Sequence, residues 1–181
     1  MHSPFSLHRA ARKLKPSEPA AHQADRNRLK NTVRYRAVTI DRVWTTAVSK
    51  HLGIESKSHL ISLDNGLSAT AVWFKPIGTP SNAPATVILN DKGKAASAGS
   101  IVDSSGMRSQ VVSFIASALH PEMFSELVIR GGIESLAYLL QKPVKYGDAP
   151  ELFCLDLLRV TDLDRLAALS SPIRIIRLDV P

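Results

Sequence analysis

Residues 84–99, PATVILNDKGKAASAG, carry the reading on which the fold class turns. Ala85-Thr86-Val87-Ile88-Leu89 runs on without polar alternation. A strand covered on both faces reads this way, as in the interior of a parallel sheet, because neither face meets water. The run stops at Asn90-Asp91-Lys92-Gly93, and a small-residue stretch follows. Within it, Ala95-Ala96-Ser97-Ala98-Gly99 fits the A-x-S-x-G variant of a hydrolase nucleophile elbow.

Downstream of this stretch, residues 107–119 have helical apolar spacing, with Val111, Val112, Phe114, Ile115, Ala118 and Leu119 expected to face inward. ELVIR, residues 126–130, reads as a second buried strand closed by Gly131-Gly132. Helices are expected at about 134–141, 150–158 and 162–169, with Asp162 favouring a helix N-terminus. IRIIRL, residues 173–178, reads as a last strand. Upstream, the runs 59–63 and 68–74 flank Asp64-Asn65-Gly66, whose Asn-Gly pair tolerates the positive φ of a tight turn, so a β-hairpin is expected. Pro76 ends its second strand, and IGTPSNAPA is a surface loop. Between Asn27 and Leu52, apolar residues fall mostly three or four apart, which predicts one or two amphipathic helices before Gly53. The β-branched section YRAVTI within it would also suit a strand. Hairpin, buried strand, helix, buried strand, helices and strand in this order give an α/β class with a partly parallel sheet.

The 181 residues suit one domain, able to bury roughly 70% of its unfolded surface. A single cysteine, Cys154, excludes an internal disulfide framework and a multi-thiolate zinc site. No apolar run approaches the roughly 18 residues of a membrane span, so a soluble chain is expected. The net charge of +7 is concentrated at one end. The first 50 residues hold eleven Lys and Arg against Glu18, Asp25 and Asp41, whereas the other 131 hold twelve basic and thirteen acidic side chains. The N-terminal segment lacks the continuous apolar stretch of a secretory signal, which points to the cytoplasm. It reads as a solvated basic arm open to weak nucleic-acid contact, since phosphate attraction needs only clustered cations.

Several segments, in order, resemble one family. LSATAVWFKPIGTPSNAPATVILNDKGKAASAG looks like the early sheet of bacterial α/β-hydrolases of the acetyl xylan esterase and prolyl-oligopeptidase-like type. SFIASALHPEMFSELVIRGGIESLAYLL is similar to their segment after the nucleophile helix. ELFCLDLLRVTDLDRLAALSSPIRIIRLDVP is similar to their run into the strand that delivers the catalytic acid. Together these cover about two thirds of the chain. The resemblance implies a Ser-Asp-His esterase on a largely parallel sheet, with Asn90, Asp91, Lys92 and Gly93 as the remnant of the oxyanion loop and Asp179 as the vestigial acid.

Set against that implied triad, the residues fall short. No G-x-S-x-G occurs. Ser97 lies in the oxyanion-side loop, while Ser104, Ser105 and Ser109 sit near the expected helix behind only a short apolar fragment. All six histidines precede residue 121 although the family order is Ser, acid, His, and His120 reads as an exposed residue at a helix C-terminus. A serine hydroxyl needs a positioned base. The carboxylates Asp156, Asp162 and Asp164 have the spacing of helix surfaces, the glycines form no phosphate-binding motif, and His51 and His59 make no metal signature, so no cofactor or metal is expected. The expectation is therefore an incomplete α/β-hydrolase-like, mostly parallel sheet with an N-terminal β-hairpin and flanking helices, and a pseudoenzyme with no working catalytic residue. It divides into a basic disordered arm at 1–26, a helical segment at 27–56 and a truncated hydrolase-like domain at 57–181. Missing core strands leave open sheet edges, which favours a homo-oligomer or another chain that completes the sheet. A carboxylic-ester hydrolase with a partner-completed site, using Ser97, Ser104 or Ser105, stands beside this reading.

Overall fold

The computed structural model describes residues 19–80, 82–90, 106–142, 144–148, 154 and 156–178. Its order is helix α1 (Pro19–Thr32), strands β1 (Ile40–His51), β2 (Ile54–Leu63) and β3 (Ser68–Pro76), helix α2 (Met107–Leu119), strand β4 (Glu126–Arg130), helices α3 (Tyr138–Gln141), α4 (Leu157–Val160) and α5 (Leu163–Leu169), and strand β5 (Arg174–Leu178). Helices and strands are mixed, but the strands lie in two separate sheets. β1-β2-β3 is an antiparallel meander, and β4-β5 is a parallel pair. Among the described strands the larger sheet is therefore antiparallel, against the expectation of a mostly parallel one.

The core is built where helices cover one side of the parallel pair. Val111, Phe114 and Ala118 of α2 recur at helical spacing and are buried, together with Leu163, Leu166 and Leu169 of α5 and Ile129 of β4. Val112 falls off that stripe and stays exposed, contrary to its expected inward position. Buried polar groups are paired. The Gln110 side-chain amide donates to the Ile133 carbonyl and accepts from the Ile133 N–H, both at 2.8 Å, and fixes the chain just after Gly131-Gly132. The hydroxyls of Ser117 and Ser170 meet at 2.8 Å between α2 and the end of α5. Asp162 caps α5, accepting from the Leu163 and Leu136 N–H groups at 2.7 Å and from the Ser135 hydroxyl. The expected helix at 134–141 shortens to Tyr138–Gln141, because residues 134–137 turn to reach this carboxylate. The helix expected at 150–158 is described only as Leu157–Val160.

Helix α1 changes the reading of the basic arm, since residues 19–26 belong to it. Ala, Gln, Arg, Leu and Lys favour a helix, and Pro19 starts it where a missing N–H costs nothing. Among its described side chains, Leu29 is buried. Arg26 does most of the docking. Its Nε donates to the Ala118 carbonyl and its Nη2 to the Leu169 carbonyl, both at 2.9 Å. One guanidinium thus closes the C-terminal ends of two helices, where carbonyls lack intrahelical partners and the dipole favours a cation. Asp25 pairs with Arg165 of α5 at 2.5 Å beside it.

Of the one or two helices expected between Asn27 and Leu52, residues 27–32 are helical as the end of α1, whereas the part before Gly53 is a strand. β1 pairs with β2 over its whole length, with extra residues at positions 41 and 46. Each bulge adds one residue between neighbours on a face. Ile40, Val43, Thr45 and Val48 therefore share one face at spacings of three, two and three, which mimics a helix. The β-branched residues hinted at in YRAVTI carry on through Val43, Thr45, Thr46 and Val48 and favour the extended form. The expected hairpin is present as β2 and β3, with Gly66 at φ 81° and the Asn65 side chain accepting from the Leu67 N–H. The run at 85–89 is not a strand. Residues 84–90 are irregular and Val87 is 78% exposed, because among the described residues no neighbouring strand offers a ladder there.

Replacing Arg26 by Ala should lower stability to urea by about 2–4 kcal/mol, the loss of two hydrogen bonds to a charged donor. Arg26→Lys should recover less than half of it, since one ammonium cannot fork to two carbonyls. A loss under about 0.5 kcal/mol would show that α1 docks through Leu29 alone.

Candidate functional site

Of the residues the sequence proposed for catalysis or its remnant, Asn90 and Ser109 are described, Asn90 at the end of the irregular 84–90 segment and Ser109 in the first turn of α2. Asp91, Lys92, Gly93, Ser97, Ser104, Ser105 and Asp179 lie outside the described residues. His51 ends β1, and His59 sits across from Thr45, with 3.4 Å between its Nδ1 and the threonine hydroxyl.

His120 is the residue around which a chemically coherent group assembles. It follows the last residue of α2, and its N–H donates to the Ala116 carbonyl at 2.9 Å. Pro121 then starts a short 3-10 turn that brings Glu122 back beside the imidazole. From the other side comes Tyr35. Just past the end of α1, Arg34 lies in the left-handed region at φ 51°, which turns the chain so that the Tyr35 N–H donates to the Lys30 carbonyl at 2.8 Å. The Tyr35 hydroxyl lies 2.9 Å from His120 Nε2, and His120 Nδ1 lies 3.2 Å from Glu122 Oε1. Lys30 Nζ stands 5.5 Å from the centre of the tyrosine ring.

The donor order follows from the chemistry. A neutral imidazole has one N–H and one bare nitrogen, and an ionised carboxylate only accepts. Nδ1 therefore carries the proton toward Glu122, and Nε2 accepts from the Tyr35 hydroxyl. This is the order of a hydroxyl, a base and an orienting carboxylate, with a phenol in the place of an alcohol. Tyr35 is 38% exposed, so the phenol is reachable from solvent. The Glu122 carboxyl is held below its ordinary value, first by its own backbone N–H, against an opposing effect of burial, with lesser contributions from the His120 hydrogen bond, the charge His120 carries when protonated, and Arg26.

The sequence singled out His120 but gave it no partner. Tyr35 lies 85 residues away and was absorbed in an ambiguous stretch, so no spacing signal links the two. Cys154 donates a weak hydrogen bond to the Thr32 carbonyl at 3.6 Å. Among the described residues no cluster of three His, Cys, Asp or Glu side chains could hold a metal ion, and no helix is long and apolar enough to cross a membrane. No protein-family model matches this chain, and neither the curated proteins nor the solved structures give a match.

A carboxyl with a lowered pKa adds stability that is present above its unfolded value and is lost as pH falls through the lower folded value. Carboxyl NMR should therefore find Glu122 titrating below an ordinary glutamate. His120→Ala should move it upward, and an unmoved titration would mean that the imidazole does not contact it.

Proposed function

We propose that this chain is an α/β-hydrolase-like scaffold, similar to acetyl xylan esterases, that does not carry out serine-esterase chemistry. One observation carries the reading. Residues 84–90 lie outside both sheets, so Asn90 does not follow a parallel strand. Oxyanion donors work only when held rigidly within hydrogen-bond distance of the developing charge. Sixteen residues, 91–106, separate Asn90 from α2. That is little room for a crossover, a further strand and a sharp serine turn, since a parallel crossover alone takes about a dozen residues or more. The hydrolase-like likeness itself is supported by the run α2, β4, Gly131-Gly132, α5 and β5, with the two strands parallel and adjacent.

A second reading, ester cleavage at a different nucleophile, is favoured by the Tyr35–His120–Glu122 group. The Tyr35 oxygen attacks the carbonyl of an activated aryl ester, His120 Nε2 takes the phenolic proton, and the aryl oxide leaves, which forms an acyl-tyrosine.

A serine-directed fluorophosphonate should label no residue of the full chain between about pH 6 and 9. Adduct formation on Ser97, Ser104 or Ser105 would overturn the first reading. The second expects p-nitrophenyl acetate to acetylate Tyr35, seen by peptide mass spectrometry. His120→Ala should slow this step, and unmodified Tyr35 after prolonged exposure would end that reading.

A further inference from the structure

β1 is an edge strand of the meander, and all twelve of its residues are exposed. Among the described residues no strand pairs with its outer edge, and an open edge of this length is a template for another strand. It carries few charges: Asp41 and Arg42 near its start and Lys50 near its end. We propose that β1 pairs antiparallel with β1 of a second copy, about a two-fold axis between Thr45 and Thr46, so that Asp41 of each copy faces Lys50 of the other.

The bulges select this register. Opposed residues in an antiparallel pair project to the same face. The ladder with β2 puts Arg42, Trp44, Ala47 and Ser49 on one face and Val43, Thr45, Val48 and Lys50 on the other, because Thr46 is an extra residue at mid-strand. Residues on either side of Thr46 that share a face therefore differ in parity, and a symmetric pairing must join odd with even positions. Centred between Thr45 and Thr46, it matches faces from Arg42 to Ser49, and the second extra residue, Asp41, then falls opposite Lys50. Val43 then meets Val48, Trp44 meets Ala47 and Arg42 meets Ser49, each pair on a common face.

Charge decides against the neighbouring registers. A shift of two residues one way opposes Asp41 to Val48 and Lys50 to Thr39, and a shift the other way opposes Asp41 to Leu52 and Lys50 to Val43. Only the central register joins opposite charges, and symmetry does so twice. Lys50 is free to take part, since its side chain is 63% exposed and its contact with Glu55 is a long 3.9 Å. The resulting sheet would be six-stranded, with the β1 edges covered. This inference stands apart from the hydrolase-like reading, because it rests on the meander alone.

Light scattering and sedimentation of the full chain over about 1–100 µM should give a dimer whose population follows mass action. Asp41→Lys and Lys50→Asp each set like charges opposite one another and should weaken it by about tenfold or more. Two arms restore opposite pairing and should restore the dimer: an equal mixture of the two single variants, and both substitutions in one chain. A monomer throughout, or single variants that dimerise like the unaltered chain, would overturn the proposal. So would a doubly substituted chain with unchanged circular dichroism that stays monomeric.

Discussion

The Arg26 guanidinium is the contact on which the arrangement of the helices depends. α1 is a strongly polar helix whose described burial centres on Leu29, so apolar area alone gives it little reason to dock. Arg26 supplies the reason by answering carbonyls at the ends of two other helices at once. α2 and α5 are already joined through Phe114, Leu166 and the Ser117–Ser170 pair. Their two C-terminal ends consequently lie close enough for one planar fork to serve both. The Asp25–Arg165 pair fixes the helix in rotation about that point.

Once α1 is seated, the left-handed Arg34 just past its end delivers Tyr35 to His120, which itself closes α2. The candidate site is thus made where two helix termini meet. The same linker leads into β1, where the Thr39 hydroxyl donates to Asp64 at 2.6 Å and the Asp64 N–H donates to the Thr39 carbonyl. The Thr39 contacts also hold the Asp64 carboxyl below its usual value. The β-meander is therefore tied to its own turn, and its strands pack chiefly on one another. Its exposed edge and the buried core of the helices are two surfaces with different physical tasks.

A sheet that lacks neighbours either leaves apolar groups and backbone edges in water or takes them from another chain. The parallel pair β4-β5 relieves this on one side, through Ile129 and the helices, while β1 has no such cover among the described residues.

Local chemistry in the sequence settled the elements whose cause lies within a few residues. Asn65-Gly66 made the β2–β3 turn, the 111, 114, 118 stripe made α2, Asp162 made the start of α5, and the apolar runs at 126–130 and 174–178 made β4 and β5. Tertiary structure decided the rest. Two bulges gave β1 a helical spacing that outweighs the hint of its β-branched residues, and its identity as a strand comes from pairing with β2. The run at 85–89 has the residues of a buried strand, but a strand needs a neighbour, and none is present among the described residues. Arg26 reads as one more cation of a basic arm until two distant carbonyls converge on it. Tyr35 and His120 carry no common signal, because a contact between helix ends 85 residues apart exists only after the helices have packed.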